Sequence, residues 1–237
     1  MLSILYHDDY LVAVDKPPGL LVHRTGLDAG ETRFALQMLR DQLGQAVWPV
    51  HRLDKGTSGV LLFALDALTA RAMGQAFETG EGLRKTYHAV VRGWPDDAGL
   101  IDHPLRRIPD DRRDRREESQ EARTRFRTLE RFDLPLPQGR FPTTRCAVVE
   151  LSPLTGRRHQ LRRHMKHIAH PIIGDATHGK GPLNRDLAAQ LGVQRLWLHA
   201  YRLELSHPVS RETVRLEASL GAEWERWGQH GHLATPI

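Results

Sequence analysis

The sequence predicts a mixed α+β protein in which strands and helices follow one another along the chain. Residues 84–93 and 145–151 alternate polar and apolar side chains with the period of two that is typical of half-buried strands. Residues 31–43 and 67–77 instead carry apolar side chains at helical spacing. With 40% hydrophobic residues in 237, the chain can bury a substantial core.

Composition excludes several classes of protein. A single cysteine rules out an internal disulfide and a cysteine-rich zinc site, as expected in a reducing compartment. No apolar run approaches the roughly 20 residues of a membrane helix, and no secretory segment opens the chain. A net charge of +5 suits a polyanionic partner. These observations predict a soluble, cytoplasmic protein without membrane contact.

The first elements form a hairpin and two helices. Residues 4–6 and 11–14 are apolar runs joined by a polar turn, which predicts a β-hairpin. Residues 31–43 and 67–77 are each followed by a glycine, the usual helix terminator. Five residues of the second helix are expected to form its core face: Leu68, Ala72, Met73, Ala76 and Phe77.

The middle of the chain is predicted to be mostly strand. In residues 84–93, alternation places Tyr87, Ala89 and Val91 on one side. Residues 121–129 and 145–151 are two further strands that bracket a proline-rich loop. Residues 106–121 hold six arginines and six acids, so we expect a mobile charged insertion there and not a nucleic-acid clamp.

The last part of the chain alternates helices and strands. Good helix formers at 157–166 follow a strand-breaking glycine and predict a short helix. Residues 196–205 and 213–218 are predicted strands. Residues 222–229 form a closing helix, in which Trp224 and Trp227 are expected to serve as core or surface anchors.

A crowded polar loop precedes the apolar run 60–65 and contains the first candidate catalytic residue, Asp54. Arg52 and Lys55 flank this carboxylate, and nearby cations favour its ionised form, which is the form that acts as a nucleophile. Gly56 and Gly59 permit backbone conformations that a Cβ would forbid. The alternative is that Asp54 only pairs with Arg52 or caps a turn.

A second candidate site is the basic stretch 151–174, which holds five arginines or lysines, four histidines and no acid. Such a patch suits phosphate groups, and binding to it should weaken with salt. Four of its residues are candidate RNA-binding residues: Arg157, His159, Arg163 and Lys166. The histidines lack the His-Glu-x-x-His spacing and an accompanying carboxylate, so we expect no zinc site.

The loop motif resembles that of a known enzyme family. His51-Arg52-Leu53-Asp54 followed by Thr57-Ser58-Gly59 is similar to the signature of the RluA-type pseudouridine synthases. Further matches in family order are Lys16-Pro17 with Gly19, Lys85-x-Tyr87, Thr155-Gly156-Arg157-x-His159-Gln160-Leu161-Arg162, Pro171-x-x-Gly174-Asp175 and Leu198-His199-Ala200. They cover residues 16–200, nearly the whole chain.

The resemblance implies a fold. It is a single catalytic domain over residues 1–237, with a largely antiparallel central sheet, flanking helices and a basic active-site cleft. Some relatives carry a small S4-like RNA-binding domain before this core, and we expect none here because the first motif begins at Lys16.

The resemblance also implies a reaction, the isomerisation of a flipped-out uridine in RNA to pseudouridine. Asp54 is then the nucleophile, attacking either the ribose C1′ or the base C6. Arg162 pairs with it, Tyr87 lies against the uracil, and Arg52 takes the place that the base vacates. No metal, nucleotide or flavin is required, and the sequence contains no Walker A or dinucleotide glycine motif.

Within the family, the stretch 162–175 and Pro142-Thr143-Thr144-Arg145 look most like the TruC branch, which modifies uridine 65 of tRNA. We therefore expect a monomeric enzyme whose partner is tRNA. An rRNA-modifying member of the family is the first alternative. A non-catalytic RNA-binding module is the alternative from a different class, in which Asp54 would be only structural.

Overall fold

The computed structural model describes residues 1–24, 30–108 and 118–230. Its strands, numbered in chain order, are β1 (Ser3–His7), β2 (Leu11–Lys16), β3 (Trp48–Pro49), β4 (Ser58–Ala64), β5 (Leu83–Arg92), β6 (Ala98–Asp102), β7 (Leu105–Arg106), β8 (Ser119–Gln120), β9 (Arg123–Leu134), β10 (Thr144–Pro153), β11 (Leu198–Ser206) and β12 (Thr213–Glu217). The helices are α1 (Ala35–Leu43), α2 (Ala67–Thr79), α3 (Gln160–His167), α4 (Gly181–Leu191) and α5 (Glu225–His230), the last preceded by a 3₁₀ turn at Ala222–Trp224.

The chain folds as two compact units. Of the described residues, the first unit contains those from Met1 to Thr86, Ile108, and those from Ala200 to Ser219. The second contains those from Tyr87 to Arg107, from Glu118 to His199, and from Leu220 onward. Strands β5 and β11 therefore contribute residues to both units.

The first unit is built on an antiparallel sheet with β4 at its centre. Strand β2 pairs with β1 and β4, β3 also pairs with β4, and β12 pairs with β11. All seven residues of β4 are buried. Leu62 of this strand shares a core with Leu203 of β11 and with Met73 of α2. This strand begins directly after the Asp54 loop, so the loop is attached to the most buried strand of the unit.

The second unit is an antiparallel sheet in the order β5, β10, β9, β6, and helices cover both of its faces. On one face Ala89, Val149 and Phe126 pack against Leu161 and Met165 of α3. Alternate residues of these strands point to the other face. There they share a core with three leucines of α4, Leu183, Leu187 and Leu191, and with Trp224 and Trp227.

The predicted mixed α+β class with a largely antiparallel sheet is confirmed. The predicted hairpin is β1 and β2, the predicted strands 84–93 and 145–151 are β5 and β10, and both late strands are present. Strands β9 and β10 are longer than expected and pair along ten positions, from Thr144 opposite Leu134 to Pro153 opposite Thr124. Trp224 and Trp227 were expected to be core or surface anchors, and both are buried core residues.

The predicted core face of α2 is wrong in part. Leu68 is 83% exposed and Ala72 is also exposed, whereas Thr69 and Met73 are buried. The side chain of Asp66 accepts hydrogen bonds from the backbone N–H groups of Leu68 and Thr69, and so caps the helix. Thr69, Met73 and Phe77 are spaced by four residues and lie on one face, one position away from the predicted one.

Helix α1 begins four residues later than predicted, because Phe34 is extended (φ −137°) and its side chain is 1% exposed. Its end at Gly44, in the left-handed conformation, is as predicted. Helix α4 and strands β3, β6, β7 and β8 were not predicted. No helix among the described residues is long and apolar enough to cross a membrane.

The predicted charged insertion 106–121 falls largely on residues 109–117, which lie outside the described residues. Its two ends are described, and they form a short antiparallel ladder. Strand β7 pairs with β8, and the Arg107 N–H donates to the Glu118 carbonyl at 2.7 Å. The role of this segment, and the prediction of a single domain, stay predictions.

The corrected face of α2 makes a testable prediction. Met73→Ala should lower the free energy of unfolding by about 2–5 kcal/mol, because it leaves a cavity in the core of the first unit. Leu68→Ala is the matched control and should change it by no more than about 0.5 kcal/mol, because Leu68 is exposed. Chemical denaturation of both variants measures the difference. Equal losses would contradict the observed orientation of the helix.

Candidate active site

The loop that carries Asp54 is a tight turn entering β4. The Thr57 N–H donates to the Asp54 carbonyl at 3.0 Å, which closes the turn. Thr57 and Ser58 are buried, while Asp54 is only half-buried. Gly59 has φ +105°, and a Cβ placed there would lie 2.3 Å from the Ala200 carbonyl oxygen. Glycine is therefore required where the loop meets the strand.

Lys16 links the segment that follows it, which contains Pro17 and Leu20, to the Asp54 loop. Its side chain is fully buried, and its ammonium donates to the carbonyls of Pro17, Leu20 and Lys55 at 3.0, 2.8 and 3.2 Å. The Gly19 N–H also donates to the Lys55 carbonyl at 2.8 Å. Because a buried charge is stable only with hydrogen-bonding partners, these carbonyls hold Lys16 and the two segments together. The Lys16-Pro17 motif thus supports the backbone beside Asp54.

The two cations beside Asp54 differ in their surroundings. Arg52 lies on the exposed part of the loop. The Lys55 ammonium contacts the Glu31 carboxylate at 2.6 Å, and both side chains are more than one third exposed. Such a pair adds little to stability, but it offsets part of the positive charge that the sequence placed next to Asp54.

His51, at the start of the loop, is held as a neutral ring. Burial, and to a smaller extent the charge of Lys85, lower the pKa of His51 to about 3. Its Nε2 accepts a hydrogen bond from the Leu62 N–H at 3.0 Å, and the ring stacks on Phe77 at 4.4 Å between centroids. The histidine of the motif therefore ties the loop to β4 and α2.

Tyr87 lies on β5 in the second unit, opposite Leu151 of β10. Its partly buried ring packs on the core cluster that contains Ala89, Val91 and Leu161. The predicted common face of Tyr87, Ala89 and Val91 is thus confirmed, and it is the face covered by α3.

Helix α3 begins at Gln160, three residues later than predicted, because His159 has a left-handed backbone (φ 56°). The side chain of Gln160 explains this sharp start. Its Oε1 accepts from the Arg157 N–H at 3.0 Å, and its Nε2 donates to the Arg123 carbonyl and the Thr124 hydroxyl at 2.9 and 3.0 Å. Gln160 is buried, so these bonds fix the first turn of the helix against β9.

The predicted RNA-binding cations around α3 differ in exposure. Arg157 precedes the helix, is exposed, and donates from Nε to the Glu121 carbonyl at 3.0 Å. Arg163 is half-buried, and this burial lowers its pKa. Lys166 is exposed in the last turn. The three cations of this predicted phosphate-binding patch thus differ in their access to solvent.

Arg162 is held by a carboxylate to which sequence reasoning gave no role. Its Nε and one terminal nitrogen donate to the two oxygens of Asp175, both at 2.8 Å. The Arg162 side chain is 10% exposed, and that of Asp175 is fully buried. Burial alone would raise the pKa of Asp175, but the hydrogen bonds from Arg162 and from the His178 and Thr177 N–H groups outweigh it and lower the pKa. The pair is therefore ionised.

Each of the four histidines of the basic stretch contacts other protein groups. His159 Nδ1 lies 3.1 Å from His178 Nε2, and His170 donates to the Arg92 carbonyl at 2.8 Å. His167 stacks on His103, with ring centroids 3.7 Å apart. Among the described residues, no group of three or more His, Cys, Asp or Glu could hold a metal ion.

The buried His164 is the fourth, and its tautomer follows from its partners. Its Nε2 must donate to the His103 carbonyl at 3.0 Å, so its Nδ1 accepts from the Thr124 hydroxyl at 2.9 Å. Burial lowers the pKa of His164, which favours this neutral form. His164 and Gln160 thus anchor α3 on the same threonine.

The predicted site residues fall in both units. Asp54 and Arg52 belong to the first, and the others belong to the second: Tyr87, Arg157, His159, Arg162, Arg163 and Lys166. Within the second unit, the fold brings Tyr87 onto the cluster that includes Leu161, the neighbour of Arg162. The pairing of Arg162 with Asp54 stays a prediction.

Known proteins resemble this chain over nearly its full length. The family model described as RNA pseudouridylate synthase matches residues 10–167. A "tRNA pseudouridine synthase C" of Vibrio cholerae is 48% identical over 229 residues, which are 95% of this chain and 93% of that protein. The protein of the same name from Haemophilus ducreyi is 47% identical over 227 residues, covering 94% and 93%.

Solved structures give the same result. "Human RNA Pseudouridylate Synthase Domain Containing 4" matches with a TM-score of 0.73 and 27% identity, covering 99% of this chain and 95% of that one. "Human RNA Pseudouridylate Synthase Domain Containing 1" matches with a TM-score of 0.71 and 26% identity, covering 93% and 84%.

The neutral His51 ring predicts a pH dependence. Its pKa of about 3 in the folded protein lies below the ordinary 6.5. Between these two pH values the unfolded chain binds a proton at His51 and the folded protein does not. The contribution of His51 to stability is complete above pH 6.5 and is lost as the pH falls toward 3, by up to on the order of 5 kcal/mol.

His51→Gln keeps an acceptor for the Leu62 N–H but cannot titrate, so the free energy of unfolding should fall less steeply over this range. Denaturation at a series of pH values measures the slope. The exposed His7→Gln is the control and should keep the wild-type profile. An unchanged slope in His51→Gln would show that the folded protein protonates this ring as readily as the unfolded chain does, which would contradict the lowered pKa.

Proposed function

The chain belongs to the RNA pseudouridylate synthase family, and we propose that the RNA it modifies is tRNA, at uridine 65. As a member of this family it is an isomerase that converts uridine in RNA to pseudouridine. One observation carries the choice of tRNA: relatives called tRNA pseudouridine synthase C are 47–48% identical to this chain over almost the full length of both. Position 65 follows from the likeness to the TruC branch.

The reaction rearranges bonds within one nucleotide. The C–N glycosidic bond between ribose C1′ and uracil N1 breaks, and a C–C bond from C1′ to uracil C5 forms. C5 loses its proton and N1 gains one, so the product is an isomer of the substrate. The overall oxidation state does not change, so no oxidant or reductant is consumed. The target must first leave the base stack to expose these atoms.

We assign the nucleophile to Asp54, which attacks either C1′ or C6. Its position supports this role, since the side chain is half-buried on a turn fixed by Thr57, Gly59 and the Lys16 ammonium. A carboxylate on a rigid turn can be held close to an attacking geometry. A plain RNA-binding surface would gain nothing from a carboxylate there, because it repels phosphate.

The other roles are those that the resemblance to the family implies. Arg162 orients the Asp54 carboxylate through a charge-assisted hydrogen bond. Tyr87 lies against the uracil and takes part in removing the C5 proton, and Arg52 fills the gap that the flipped base leaves. Four residues contact the RNA backbone: Arg157, His159, Arg163 and Lys166. The enzyme acts as a cytoplasmic monomer.

The test is tritium release from RNA labelled at uracil C5. Wild type should release tritium from tRNA, and Asp54→Ala should release none, because no nucleophile remains. Asp9→Ala, a change of an exposed aspartate in the β1–β2 turn, is the matched control and should be fully active.

Three outcomes would overturn parts of the proposal. Release from rRNA alone would keep the reaction and exclude tRNA as substrate. Activity of Asp54→Ala would exclude Asp54 as nucleophile. Absence of release from any RNA by wild type would favour an RNA-binding module. Sequencing that maps pseudouridine in the treated tRNA tests position 65.

A further inference from the structure

The structure assigns to Asp175 the role of a positioning residue for Arg162, and this inference rests on the proposed function, in which Arg162 is catalytic. Asp175 binds the guanidinium in a fork, through Nε and one terminal nitrogen at 2.8 Å each. A two-point contact fixes the plane of the guanidinium as well as its position. Because the fork fixes this plane, it also sets the direction of the other terminal nitrogen.

Asp175 is itself held rigidly by its own turn. Its Oδ1 accepts from the N–H groups of Thr177 and His178, both at 2.9 Å. With the fork, the carboxylate therefore accepts four hydrogen bonds. A fully buried carboxylate with all these donors cannot rotate without losing several of them. The direction of the fork is thus set by the backbone of residues 175–178.

The backbone on either side of Asp175 is clamped as well. Asn184 of α4 accepts from the Gly174 N–H and donates to the Asp175 carbonyl, both at 3.0 Å. Gly174 has φ +77°, and a Cβ there would lie 1.7 Å from the Arg195 carbonyl oxygen. No other residue fits this position. The Pro-x-x-Gly-Asp motif therefore has a physical reason: glycine allows the close approach, and the aspartate beside it holds Arg162.

The opposite end of Arg162 is fixed by α3. Gln160 and His164, on either side of it in sequence, are both bonded to Thr124 of β9. The backbone of Arg162 is thus held from β9, and its guanidinium is held from the turn at 175–178. A charge that is 10% exposed also needs a counter-charge nearby, and Asp175 supplies it.

Asp175→Asn tests the inference, with kcat and KM measured separately on tRNA. The amide cannot accept the full fork, so Arg162 loses its orientation and kcat should fall, on the order of 10²-fold for a displacement near 1 Å, with KM nearly unchanged. Asp175→Glu keeps the charge but moves it, and should restore part of the loss. Asn184→Ala leaves the carboxylate intact and loosens the turn, and should give a smaller fall in kcat.

The matched control is Glu223→Gln, which removes the partner of another buried arginine of the same unit, Arg195. It should lower the free energy of unfolding, as Asp175→Asn does, and leave the kcat of the folded fraction unchanged. A purely structural role for Asp175 would make the two variants alike. That result would overturn the inference, as would a wild-type kcat in Asp175→Asn.

A second background separates positioning from general damage. Arg162→Lys keeps the charge but has no fork to orient. Adding Asp175→Asn to it should reduce kcat far less than in wild type, whereas an equal reduction in both backgrounds would overturn the inference. If wild type releases no tritium from any RNA, the proposed function itself fails and this inference fails with it. If wild type is active and Asp175→Asn has the wild-type kcat, only the inference about Asp175 is contradicted.

Discussion

The buried ion pair between Arg162 and Asp175 is the constraint around which the second unit is arranged. Two charges removed from water are stable only when their hydrogen bonds are complete, and each element near the pair contributes to that. The turn at 175–178 donates two backbone N–H groups, α4 clamps the turn through Asn184, and α3 is pinned on β9. The consequence is an arginine with a fixed direction in a part of the fold that tolerates little change.

The first unit also contains a buried charge whose hydrogen bonds must be satisfied. The buried ammonium of Lys16 binds three carbonyls, one of which is next to Asp54. Gly59 and the neutral His51 ring fix the other side of the loop. Much of the sequence signature therefore serves to hold the backbone, and only some of its residues are available for chemistry. A rigid loop is what a nucleophile needs if its geometry is to contribute to the rate.

Much of this could be predicted from local patterns. The buried strand after the Asp54 loop follows from its continuous apolar run. The face shared by Tyr87 and Ala89, and the strands β9 and β10, follow from a period of two. The role of Asp175 could not, since the basic stretch ends at Gly174 and the partner of Arg162 is 13 residues away, across a turn. The start of α3 depends on the left-handed backbone of His159, and the buried face of α2 depends on its cap at Asp66. Neither feature can be read from the periodicity of apolar residues.

The central claim is that Asp54 is the nucleophile of a tRNA pseudouridine synthase. A crystal structure of Asp54→Asn bound to tRNA tests it most directly, because the amide keeps the shape of the side chain and stops the reaction. If Asp54 is the nucleophile, uridine 65 will be flipped out of its stack, with C1′ or C6 within about 3.5 Å of the substituted amide side chain and Tyr87 against the base. A tRNA bound with uridine 65 stacked, or with the flipped base remote from that side chain, would contradict it.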